Sequence, residues 1–256
     1  MYPDILLKNK IIPIVLHRVV PSQCKTFEDI SLENLQIVFS QISSRYLTIS
    51  DNVDNLDNEN YYIVTFDDGY LSDYELVFPL IKKLNIVATF FINPENVGKP
   101  GFMNWDMIRE MSIAGMSIGS HGYSHQNMAN LSFNDAKDEL LKSRETIAKN
   151  IDKVISSFSF PFGQYNNNLI ELAWRCGYSN CFVSSHGIMS SKKNFIPRNS
   201  INSKMNKSDI LNILFASNKV ILKWKIEDFV KITVKMFLGV NTYKKIRDLF
   251  LSKKII

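Results

Sequence analysis

Short apolar runs rich in β-branched and aromatic residues recur along the chain at Ile11–Leu16, Tyr61–Phe66, Val87–Ile92, Met116–Ile118, Ser157–Phe160 and Cys181–Val183. Runs of this length, with little polar alternation, predict strands buried on both faces. Between them, Ser72–Leu84, Asn104–Ala114, Ser132–Asn150 and Asn167–Cys176 carry apolar residues at helical spacing. Strands alternating with helices predict a mainly parallel sheet with helices outside it, either open or closed into a barrel. Asp51–Asn60 is mostly Asn and Asp and is expected to be a surface connection. Parallel α/β folds gather their chemistry at the carboxyl ends of strands, and three of these ends are loaded with polar residues.

The length of 256 residues suits one large core without requiring a second domain. With 45% hydrophobic and 21% charged residues, the composition is that of an ordinary folded protein. Met1–Lys10 lacks a basic-then-apolar leader pattern, and no apolar run approaches the roughly 18 residues of a membrane span. A cytoplasmic location is therefore expected. Cys24, Cys176 and Cys181 are odd in number and lack metal-ligand spacing, which leaves little for a disulfide framework or a thiolate metal site. The net charge of +5 is unevenly spread, since the chain from Lys219 onward holds ten Lys or Arg against three acids.

The first loaded end is Asp67-Asp68-Gly69-Tyr70, directly after Tyr61–Phe66. Neighbouring side chains on a strand point to opposite faces, so both acids serve one cavity only if the chain bends, and Gly69 permits the bend. An Asx turn or a helix N-cap would account for the pair equally well. The second end is Ser120-His121-Gly122-Tyr123-Ser124-His125, where two of four histidines sit four apart. A helical turn or a compact loop would bring both imidazoles together. One Asp and two His form a familiar facial set for a divalent metal with open positions left for water and substrate. The third end is Phe158–Tyr165, where Pro161 and Gly163 end an apolar run beside several aromatics.

These motifs, in this order, resemble the NodB-like polysaccharide deacetylases of carbohydrate esterase family 4, from about Ile11 to Ile201. Thr65-Phe66-Asp67-Asp68-Gly69 is similar to that family's TFDDG motif, and the resemblance implies Asp67 as general base and Asp68 as metal ligand. His121 and His125 match its histidine ligand pair, with Gly122 in place of the usual Ser or Thr. The implied fold is a distorted (β/α) barrel of seven strands over residues 1–204. Residues 205–256 are expected as a basic amphipathic helical extension rather than an independent domain. Two departures stand out. Ser159-Phe160-Pro161-Phe162 has Ser where the family carries an arginine that orients the base, and Arg198 is the candidate replacement. No histidine follows His186, so His17 is expected as general acid, as in the subset whose first strand ends in a YHRV-like sequence, here Leu16-His17-Arg18-Val19. His186 is its competitor.

The implied activity is metal-dependent removal of an N-acyl group, usually acetyl, from an amino sugar. Zinc suits the ligands best, with cobalt, nickel or manganese as alternatives. Tyr70, Trp105, Pro161, Phe162 and Tyr165 are candidate substrate contacts. A cytoplasmic enzyme would meet a nucleotide- or lipid-linked precursor. The opposing reading is a catalytically silent sugar-binding module on the same fold. The tail mixes Lys with Trp224, Phe229 and Ile232, a composition that suits either an interfacial helix on anionic lipid or a helix packed on the barrel. Nucleic acid is not expected as a partner, because the lysines lie in one amphipathic region without a recognised binding motif.

Overall fold

A computed structural model of the chain describes residues 10–42, 45–49, 56–57, 59–189, 195–217, 219–227 and 229. The strands are β1 (Ile11–Leu16), β2 (Val19–Val20), β3 (Ile30–Ser31), β4 (Tyr61–Phe66), β5 (Thr89–Ile92), β6 (Ser117–Ser120), β7 (Ser157–Ser159), β8 (Asn180–Val183), β9 (Phe195–Pro197) and β10 (Asn199–Ser200). The helices are α1 (Leu32–Ile42), α2 (Phe78–Lys83), α3 (Trp105–Ile113), α4 (Phe133–Ile151), α5 (Asn167–Arg175) and α6 (Lys207–Phe215).

All strands but β2 and β3 form one parallel sheet in the order β10-β1-β4-β5-β6-β7-β8-β9. Its two ends belong to one continuous piece of chain. Residues 195–197 pair with β8 and residues 199–200 pair with β1, so the ring of pairings closes around Arg198 into a barrel. Eight paired strands therefore stand where seven were expected, because Arg198 divides the last one in two.

Side-chain alternation separates the barrel interior from its outer face. Ile11, Ile63, Phe91, Phe182 and Ile196 form a small apolar cluster of their own. Their neighbours Ile12, Tyr62, Val64, Phe90 and Cys181 join the large cluster beneath the helices. Gly119 makes room inside, since a Cβ there would stand 2.5 Å from the Phe91 ring. Continuing each inward row by two residues per step leads to His17, Asp67, Asn93, His121, Ser159 and Arg198, all at the carboxyl end of the ring.

Helix starts follow simple side-chain chemistry. Asn104, Ser132, Asn166 and Asn206 each accept a hydrogen bond from a backbone N–H in the first turn of α3, α4, α5 and α6, a contribution of about 1 kcal/mol each. Ser72–Leu84, expected as one helix, starts α-helical at Leu71–Ser72, widens into a π-helical turn over Asp73–Val77 and returns to α-helix at Phe78. Pro79 explains the break, because it has no N–H for the carbonyl one turn back. Helix α1 and the β2–β3 pair were not anticipated. The Asp51–Asn60 connection falls mostly outside the described residues.

In the extension, α6 is tied to the barrel by Tyr62 Oη donating to the Leu214 carbonyl and Lys10 Nζ donating to that of Ala216. Residues 219–227 are helical, with Trp224 buried and stacked on His186. From residue 230 the expected amphipathic extension lies outside the described residues. Among the described residues no helix is long and apolar enough to cross a membrane.

Candidate active site

The end of β4 delivers two carboxylates to one place by bending sharply. Asp68 and Gly69 both adopt left-handed backbone, with φ of 78° and 75°. For Asp68 that conformation is strained, and such strain persists where surrounding structure imposes it. Asp67 continues the inward row of β4, and the turn swings Asp68 toward the same mouth.

Asp67 is 2% exposed. Arg198 Nη1 donates to its Oδ1 and Nη2 to its Oδ2, both at 2.7 Å, and Ser159 Oγ donates to Oδ2 at 3.1 Å. The guanidinium also donates to Thr65 Oγ1 and Ser159 Oγ and lies over the rings of Phe91 and Phe182. Burial alone would raise the Asp67 carboxyl pKa. The charge and hydrogen bonds of Arg198 outweigh it and hold the group well below the usual carboxylate range. Arg198 is thus paired with Asp67 through both guanidinium nitrogens, while Ser159 gives the same carboxylate one hydroxyl.

Asp68, His121 and His125 each offer a ligand atom, all within 4.8 Å of one another. Asp68 Oδ1 stands 3.2 Å from His125 Nε2 and 3.5 Å from His121 Nε2, yet this buried oxygen has no hydrogen-bond partner of acceptable geometry. His121 Nδ1 lies 2.8 Å from the Ser159 carbonyl. A carbonyl can only accept, so the proton sits on Nδ1 and the Nε2 lone pair faces the two carboxylates. An orphaned carboxylate oxygen and an imidazole lone pair aimed at the same space suit a cation between them. The donor set fits a divalent metal, with borderline ligands suited to zinc.

The histidine segment is a loop rather than a helical turn. Gly122 and His125 take positive φ, at 76° and 56°, which folds the chain tightly enough to converge the two rings. Their centroids are 5.0 Å apart. Burial lowers the His121 pKa, whereas for His125 the adjacent Asp68 carboxylate, 3.2 Å from Nε2, outweighs burial and raises it.

His17, at the end of β1, is half-buried. Its Nδ1 is buried without a hydrogen-bond partner. The His186 ring, by contrast, lies parallel to Trp224 with centroids 5.7 Å apart. Of the expected substrate contacts, Phe162 is 59% exposed and packs on His125 at 4.6 Å between centroids. Phe162 itself has φ 57° in the turn opened by the buried Pro161. Tyr70 stacks on Phe102 with Arg18 above it, and burial together with the Asp68 charge raises its phenol pKa. Trp105 and Tyr165 pack against the core, Tyr165 beside Phe160 and Phe195.

The sequence reading overlooked residues that hold the histidine loop. Buried Asn93, at the end of β5, donates from Nδ2 to the carbonyls of His121 and Gly122. Glu139 of α4 accepts from the loop's backbone. A signal for Glu139 existed. It sits beside the inward stripe Ala136, Leu140, Ser143 and Ile147, where a carboxylate needs a partner.

Comparison with known proteins agrees with this geometry. Over 120 residues the chain is 30% identical to the peptidoglycan-N-acetylglucosamine deacetylase of Bacillus cereus, covering 46% of this chain and 41% of that protein. Over 152 residues it is 28% identical to the poly-beta-1,6-N-acetyl-D-glucosamine N-deacetylase of Staphylococcus aureus, covering 53% and 52%. The chain thus spans about half the length of these curated relatives. Its fold matches the Streptococcus pyogenes deacetylase PplD with a TM-score of 0.73 at 18% identity, over 81% of this chain and 99% of that one. The family model described as polysaccharide deacetylase matches residues 54–181, half of the chain and the stretch that carries both carboxylates, both loop histidines and Ser159, so the chain belongs to the polysaccharide deacetylase family.

Proposed function

We propose that the protein hydrolyses the N-acetyl group of an N-acetylglucosamine-containing glycan or glycan precursor. The observation that carries this reading is the ion-paired Asp67 beside the Asp68–His121–His125 group at one mouth of the barrel, where β1 also leads into His17. The names of the two glucosamine deacetylases above support the substrate class.

An amide resists hydrolysis at both ends, because its carbonyl is weakly electrophilic and its amine leaves poorly. A divalent metal held by Asp68, His121 and His125, zinc by choice of ligands, would supply Lewis acidity toward water and the acyl carbonyl. Asp67 takes the proton of the attacking water. The Arg198 pair keeps it ionised and aimed, at some cost in basicity. His17 donates a proton to the departing sugar amine. The Phe162 backbone N–H faces the acyl oxygen as it gains charge, and the Phe162 and Tyr70 rings receive the sugar. The silent-module reading rested on the missing arginine at Ser159, and Arg198 removes that motive.

The test is acetate release from N-acetylglucosamine oligomers, peptidoglycan fragments and nucleotide- or lipid-linked N-acetylglucosamine, using wild type and Asp67→Asn. Binding without release by the wild-type, metal-supplemented chain would favour the sugar-binding module.

A cytoplasmic location and a linked precursor as substrate remain part of the proposal, supported by the sequence reading alone. Recovery of the full chain outside the cell by fractionation would remove both. Peripheral membrane contact is proposed as well. Leu222 and Ile226 are exposed on the helical stretch that buries Trp224, beside Lys219, Lys223 and Lys225. Equal flotation of full-length and tail-deleted protein with anionic liposomes would exclude it.

A further inference from the structure

We propose that Glu139 is a positioning residue for the metal-binding loop, clamping it from helix α4 so that His121 and His125 present their nitrogens to one point. This inference rests on the metal reading above.

The loop between β6 and the start of α4 has little to hold it in shape from within. Gly122 has no side chain, and two of its residues adopt left-handed backbone. Its amides are instead gathered by one carboxylate. Tyr123 N and Ser124 N donate to Glu139 Oε2 at 2.8 and 3.0 Å, and Ser124 Oγ donates to Oε1 at 2.6 Å. Among the described residues Glu139 forms no ion pair, so its charge is satisfied by the loop. The fit is close, since a Cβ on Gly122 would stand 3.3 Å from Glu139 Oε2.

Four residues on, along the same face of α4, Ser143 holds the entrance to the loop. Its Oγ lies 2.7 Å from Ser120 Oγ, which in turn accepts from Gly122 N at 3.3 Å. Helix α4 thus grips the segment at its entrance and again between the two histidines. Its 19 residues, with a Ser132 cap, make a stiff support. Asn93 holds the carbonyl side of the same loop from β5. Of these contacts, Glu139 takes the amides of Tyr123 and Ser124, while Asn93 and the Glu95 amide hold the carbonyls of Gly122 and Tyr123. Residues behind the ligands of a metal site commonly contribute 10- to 100-fold in affinity.

The test is zinc affinity of the chelator-stripped full chain, measured by competition with a fluorescent zinc chelator for wild type, Glu139→Ala, Glu139→Gln and Ser124→Ala. Amide exchange of residues 121–125 is followed in the metal-free state. Glutamine can accept both amides with its carbonyl oxygen and donate to Ser124 Oγ, so it separates geometry from charge. The expected result is a roughly 10- to 100-fold loss of zinc affinity in Glu139→Ala, with faster exchange confined to the loop and the melting temperature of the metal-free protein unchanged. Glu139→Gln should stay within about 10-fold of wild type and Ser124→Ala should fall between, which keeps the test open if the alanine variant does not fold. Zinc binding by Glu139→Ala, or by Ser124→Ala where the former does not fold, with wild-type affinity and unchanged loop exchange would overturn the clamp alone. A wild-type chain that binds no zinc would overturn the metal reading and the clamp with it.

Discussion

Replacing Arg198 with Met keeps most of the buried stem while deleting the guanidinium, and so isolates the charge beneath Asp67. In the wild type this carboxylate receives two charged N–H donors at 2.7 Å and one hydroxyl at 3.1 Å. The variant leaves only the hydroxyl and the more distant His121, 3.8 Å from Oδ2. Removing one partner of a buried pair costs about 3 to 5 kcal/mol, a large part of a total stability of order 5–15 kcal/mol. The cost depends on pH. The wild-type Asp67 pKa lies below its unfolded value of about 3.9, so it contributes stability above that pH and loses it as pH falls through the folded value. Without Arg198, burial raises the folded pKa above 3.9, and stability then declines as pH climbs from about 4, by about 1.4 kcal/mol per unit until the folded group ionises. The gap between wild type and variant therefore widens from pH 4 toward neutrality. Urea unfolding in chelator, with Asp67→Asn and the double variant closing the cycle, measures this directly. The coupling should reach about 3 kcal/mol. Additive effects, with coupling under about 0.5 kcal/mol, or a gap that does not change with pH, would refute the reasoning.

Three further outcomes follow from the same geometry. His17→Gln should lower kcat for acetate release by about 10²-fold or more and flatten the basic limb of its pH profile, whereas His186→Gln should leave both within a few-fold. Zinc at 100 times its Kd should stabilise the wild type by about 2.7 kcal/mol in thermal unfolding, and neither Asp68→Ala nor His125→Ala should gain from it. Asp73 is fully buried with both carboxyl oxygens unpartnered, and burial, reinforced by the charges of Asp68 and Asp67, holds its pKa well above the carboxylate range. A raised acid loses stability as pH rises above its unfolded pKa of about 3.9. Metal-free Asp73→Asn should therefore match wild type near pH 3.5 and exceed it in urea midpoint at pH 7.

Much of this was legible in the chain itself. The apolar runs at Ile11–Leu16 and Tyr61–Phe66 appear as strands with the expected bounds, because each is walled by polar residues and buried on both faces. The site residues were legible because strand ends collect them and because Asp67, Asp68, His121 and His125 fall within recognisable motifs. Less visible were features that arise from distant contacts. Arg198 meets Asp67 across 131 residues, when the split final strand closes the ring. Glu139 shows only its place beside the inward stripe of α4, and its partner appears once the loop folds against it. The π-helical turn after Tyr70 hides within a good helical pattern, and only Pro79 marks it.

The measurement that bears most directly on the central claim is acetate release from an N-acetylglucosamine oligomer by the zinc-supplemented chain, set beside the chelated protein and Asp67→Asn. The account predicts release by the first, abolished by chelation and reduced by at least about 10²-fold in the variant. Release that persists undiminished in the chelated protein or in Asp67→Asn would contradict it.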